Sequence, residues 1–205
     1  FKSEVFHMLR KKAIVLGMSG LVVAAGVVFL VKAAQADSDL SASDISKAKI
    51  SLVKASELAL KEAQSGKVVA IDIDDEGSSL RYDVTVLTDK AEKDYTIDAN
   101  SGEVLRSSNE KLSSTDTEEK ELAKASPKIS LSELQTSLTK KYSGYKVVNV
   151  DLEYKGTKLV YDVELVSDSK EIKAVVDANT GKVTKEQTVS LNQDDDRHDE
   201  DHDED

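Results

Sequence analysis

Two histidines four residues apart in a carboxylate-rich tail are the side chains here best suited by type to metal chemistry. His198 and His202 lie in residues 194–205, which hold nine acidic side chains and Arg197. Imidazole next to carboxylate binds divalent cations, so His198, His202, Asp199 and Asp201 are the candidate ligands for Ca2+ or Zn2+. A run without preset geometry binds weakly and selects poorly among metals. The third histidine, His7, is near the other end, and residues 8–197 contain none. Cysteine is absent throughout. The body of the chain therefore has no Ser-His-Asp or Cys-His nucleophile and no HExxH zinc site. A disulfide scaffold and cysteine-ligated metals are also excluded. Carboxylates are plentiful, but no spacing marks a cleft that would raise one pKa for acid–base work. No catalytic residue and no cofactor site is expected, so the chain does not read as an enzyme.

The charge is distributed unevenly. The 205 residues carry a formal net charge of -11. Residues 1–36 hold five basic side chains against Glu4, whereas residues 194–205 hold nine acids against one arginine. An acidic balance of this kind does not suit nucleic acid, which requires a basic stripe. Residues 13–31 (AIVLGMSGLVVAAGVVFLV) are uncharged, follow Arg10-Lys11-Lys12 and precede Ala34-Gln35-Ala36. These are the parts of a secretory signal cut before Asp37, or of an uncleaved N-terminal membrane anchor. Either way the basic cluster stays inside and everything after Lys32 is exported, N-in and C-out.

The body repeats itself. At an ungapped offset of 79, 20 of the 57 positions from 50 to 106 are identical. Ile50-Ser51-Leu52 matches Ile129-Ser130-Leu131, and Lys67-Val68-Val69 matches Lys146-Val147-Val148. Tyr82-Asp83-Val84 matches Tyr161-Asp162-Val163, and Asp98-Ala99-Asn100-x-Gly102-x-Val104 matches Asp177-Ala178-Asn179-x-Gly181-x-Val183. Two copies of one fold follow, and a long solenoid does not.

Each copy decodes alike. Leu52, Ala55, Ala59 and Ala63 share one helix face, as do Leu131, Leu134, Leu138 and Tyr142. Ser130-x-x-Glu133 is a capping box, and Ser51 is the matching N-cap. Three strands follow, each alternating apolar and polar residues, as in Val69-Ile71-Ile73 against Ala70-Asp72-Asp74. Such a sheet is covered on one side and wet on the other. The wet face of the first copy holds Asp72, Asp74, Arg81, Asp83, Glu92 and Asp94. Tyr82 and Tyr161 point into the core. Glu76-Gly77 and Lys155-Gly156 read as turns, and Asp-Ala-Asn-x-Gly as a tight turn leading to a short fourth strand. That motif lacks the spacing of a calcium loop.

The fold class is thus α+β: two tandem small domains, each one helix packed on one face of a three- or four-stranded antiparallel sheet. The expected organisation is an export segment at 1–36, a spacer at 37–48, domains at 49–107 and 128–190, a polar linker at 108–127 and an acidic tail at 191–205. Each repeat resembles a PepSY domain in its Ile-Ser-Leu opening, Lys-Val-Val and Tyr-Asp-Val strands and Asp-Ala-Asn-x-Gly-x-Val ending. PepSY domains occur in the propeptides of thermolysin-type metalloproteases and in bacterial envelope proteins. The resemblance implies a small non-catalytic module that regulates or inhibits peptidases. No protease domain accompanies the repeats in these residues, so action in trans on a peptidase partner is expected. The alternative is an envelope scaffold or weak cation binder that acts through its tail.

Overall fold

The computed structural model describes residues 40–75 and 79–191. The export segment at 1–36, the Glu76-Gly77 turn and the tail ligands His198, Asp199, Asp201 and His202 lie outside them. Among the described residues are four helices: α1 (Ala42–Ile45), α2 (Leu52–Ala63), α3 (Thr117–Lys124) and α4 (Leu131–Lys141). The strands are β1 (Lys67–Asp75), β2 (Leu80–Leu87), β3 (Ala91–Asp98) and β4 (Val104–Lys111) in the first repeat. The second repeat has β5 (Lys146–Lys155), β6 (Lys158–Val166), β7 (Lys170–Asp177) and β8 (Val183–Ser190).

The α+β reading holds, with four antiparallel strands per repeat, but the two sheets are not separate. All eight strands form one sheet in the order β4-β3-β2-β1-β5-β6-β7-β8. The first strands of the two repeats pair antiparallel, through Ala70↔Asp151, Ile71↔Val150 and Asp72↔Asn149. Ile71 faces its own counterpart at the repeat offset, and the flanking pairs exchange counterparts. A pseudo-two-fold axis therefore pierces the sheet between Ile71 and Val150, which makes the seam isologous. Small sheets of this kind are marginal alone, and joining them produces one continuous core. Ala55, Ala59, Leu134 and Leu138 pack over Ile71, Val84, Val150 and Val163 in a single apolar cluster.

The helices begin where their caps dictate. Ser51 Oγ accepts from Lys54 N at 3.1 Å, and Ser130 with Glu133 closes a full capping box. Strong capping suits helices of only 12 and 11 residues, which are marginal on propensity alone. After α2 the chain turns through Gln64 at φ 64° and Gly66 at φ 115°. A Cβ at Gly66 would lie 2.6 Å from the Leu87 carbonyl oxygen, so only glycine fits.

The segments read as a spacer and a polar linker are partly structured. β4 continues to Lys111, pairing with β3, and α3 follows it. In the stretch before the first repeat, Leu40 and the α1 residues Ala42 and Ile45 are buried. Both stretches are polar by composition, and a few apolar side chains are enough to dock them. The docking is crossed. α1 leads the first repeat yet binds the β6–β7 turn of the second: Ala42 N donates to Ser167 O at 3.3 Å, and Ser43 N and Oγ donate to Asp168 at 2.9 and 2.8 Å. α3 leads the second repeat yet takes Lys67 Nζ of the first at its Leu122 and Ala123 carbonyls.

Candidate functional site

The motif residues common to both repeats converge on one node per repeat. Tyr82 OH donates to Ile50 O at 3.0 Å, and Tyr161 OH to Ile129 O at 2.7 Å. Lys49 N and Ile50 N both donate to Ala99 O, and Ala99 N donates to Leu80 O. Lys128, Ile129, Ala178 and Leu159 repeat that pattern. The tight turn is held by its own carboxylate: Asp98 Oδ1 accepts from Asn100 N, Ser101 N and Ser101 Oγ, at 3.0, 2.7 and 2.9 Å. Asp177 does the same with Asn179 and Thr180. These bonds hold both carboxyls below their usual range, through Ser101 first for Asp98 and the Thr180 hydroxyl first for Asp177. Burial pushes both tyrosines up to about 12, so they remain neutral donors. The node fastens the helix start to the second strand and to the turn. Its polar groups are occupied in holding the fold, which leaves no activated nucleophile there.

The face of the sheet turned away from α2 and α4 is the second feature. In the first repeat it gathers the polar residues expected there. Thr96 Oγ1 donates to Asp83 at 2.6 Å, while Thr85 and Ser108 hydroxyls donate to Asp94 at 2.9 and 2.8 Å. Asp72 stands opposite Asp83, and Asp74 opposite Arg81. The seam extends this row into the second repeat, where Asp151 stands opposite Asp162. Asp83, Asp72, Asp151 and Asp162 thus cross four adjacent strands around the pseudo-dyad. Burial, with the Asp72 charge next, pushes Asp151 up to about 7. Glu153 is also raised, chiefly by burial. Lys155 Nζ bridges Asp162 at 2.6 Å and Glu153 at 3.1 Å. Burial disfavours the Lys155 charge, but these two partners outweigh it and leave the pKa raised.

Sequence reasoning placed the acidic groups of the first repeat and missed the clustering at the seam. The signal available was Asp72 matching Asp151 at the repeat offset. What it lacked was the pairing of β1 with β5, which no local pattern encodes. Among the described residues, no group of three or more His, Asp or Glu side chains is placed to hold a metal ion. No helix among them is long and apolar enough to cross a membrane.

A family model described as "Peptidase propeptide and YPEB domain" (PepSY) matches residues 49–107 and 128–187. Among curated proteins none matches. A solved structure of a Clostridium difficile 630 protein named as a "putative lipoprotein" is 21% identical with a TM-score of 0.50. The likeness covers 69% of this chain and 95% of that one. At such identity it is a likeness of fold. The Bacillus megaterium YpeB C-terminal domain is 19% identical with a TM-score of 0.28, over 78% of this chain and 71% of that one.

Proposed function

The chain belongs to the PepSY family, and from that membership we propose that it is a non-catalytic, exported binding module that regulates or inhibits a peptidase in trans. The observation that carries this reading is the occupation of the shared motif. The tyrosine, aspartate and backbone groups common to both repeats bond to one another. A module whose repeated polar groups hold its own fold acts by the surface it presents. Here that surface is one eight-stranded sheet built from both copies. Export rests on the apolar run at 13–31 behind its basic cluster and on the Ala-x-Ala before Asp37.

The test is a capture experiment. Residues 37–205 are immobilised and exposed to the culture medium and envelope fraction of the source cell. A thermolysin-type or other peptidase should be recovered under gentle salt. Recovery of none overturns the proposal. A weak cation site at His198, Asp199, Asp201 and His202 is a separate proposal. Calorimetry of the full chain against Ca2+ and Zn2+ should show binding heat that a chain ending at Gln193 lacks, and heat equal to dilution ends it.

A further inference from the structure

The seam between the repeats is short and acidic. β1 and β5 share three register pairs, whereas β1 with β2 and β5 with β6 share eight and nine. On the face turned away from α2 and α4, each seam strand contributes a half-buried aspartate, Asp72 and Asp151. Each has a further carboxylate opposite it on the outer strand, Asp83 or Asp162. Across the seam itself, Asp72 meets Asn149 and Asp151 meets Ala70. We infer that the β1–β5 seam is a pH-sensitive junction, which holds the two repeats together more firmly in mildly acidic than in alkaline surroundings.

The surrounding charges set its sign. On β1 and β2 the neighbours are Asp72, Asp74, Arg81 and Asp83. On β5 and β6 they are Glu153, Lys155, Asp162 and Glu164. Lys155 on β5 is engaged by Glu153 and Asp162. The helices touching β5 hold their own charged and polar groups elsewhere. α1 holds Asp44 against Lys47, α3 turns its last carbonyls to Lys67, and α4 keeps Glu133 on Ser130 and Lys141 on Glu186. An ionised Asp151 is thus desolvated and lies beside the Asp72 charge. A hydrogen bond from the Asn149 side chain favours the ionised form, but burial and the neighbouring carboxylates outweigh it, so protonation is favoured in the fold. Its pKa in the fold, about 7, lies above the ordinary value of 3.8. The unfolded chain then releases its proton first, so stability is lost as pH rises between those values. This dependence is a property of the junction, whatever partner the module binds.

The experiment uses the chain from Asp37 onward and its Asp151→Asn variant, which is isosteric and neutral. Amide exchange, corrected for intrinsic rates, is followed at residues 70–72 and 149–151, of which only the alternate N–H groups that point across β1–β5 report the seam, and at Lys93 and Asn109 in the distant β3–β4 pair. From pH 5 to pH 8 seam protection should fall by about a hundredfold in the parent, with little change at β3–β4. In the variant the seam fall should disappear. Three results overturn the proposal: a seam that does not respond in the parent, an undiminished response in the variant, or an equal loss at the seam and at β3–β4.

Discussion

At the residue scale the fold depends on a few polar bonds in an otherwise aliphatic core. Tyr161 is 3% exposed and its hydroxyl satisfies the Ile129 carbonyl. Tyr161→Phe keeps the ring and leaves that carbonyl without its donor, so the unfolding free energy from denaturant titration should fall by about 1 kcal/mol. Gly66→Ala should cost more, roughly 1–3 kcal/mol, because the new Cβ meets the Leu87 carbonyl at a positive φ. The carboxylates act in opposite directions. Asp98 and Asp177 titrate low, so their stabilisation is complete above the ordinary carboxylate range and is lost as pH falls through their folded values. Asp151 titrates high and weakens the fold as pH rises towards 7. Thermal stability should therefore pass through a maximum near pH 4–5, and Asp177→Asn should flatten only the acid limb. A monotonic profile from pH 3 to 8 would contradict these assignments.

At the element scale, α1 is the feature that composition concealed. Its stretch reads as a spacer because it is short and polar, yet Leu40 is 8% exposed and belongs to the common core. Leu40→Ala should lower stability by roughly 2 kcal/mol. A free tether would show less than ~0.5 kcal/mol. Guanidinium unfolding of the two chains decides between them. The elements inside each repeat were legible, since alternation at Ile71-Asp72-Ile73 and the capping box at Ser130 are local signals. The full length of β4 was not, because Arg106 to Lys111 is polar on both sides and only its pairing with β3 makes it a strand. The seam was not legible for a related reason. Ala70, Asp72, Asn149 and Asp151 carry no pattern that selects β1 and β5 as partners. Only the repeat offset hinted that equivalent strands meet.

At the scale of the whole molecule, two copies too small to be secure alone become one body. A single apolar cluster runs through both, and α1 and α3 each reach across to the other repeat. Unfolding should accordingly be one cooperative transition, with calorimetric and van't Hoff enthalpies equal. Two resolved transitions would mean that the seam does not couple the repeats. The edges of the sheet, β4 and β8, carry charged and polar side chains such as Arg106, Glu110, Lys185 and Glu186. Such edges resist sheet-to-sheet aggregation.

The central claim is that this body, and not its acidic tail, engages a peptidase. The most direct measurement is hydrolysis of casein by the peptidase captured from the source cell, titrated with residues 37–205 and with a chain ending at Gln193. The account predicts a saturable change in rate, the same for both chains. An unchanged rate, or an effect that vanishes with the tail, would contradict it.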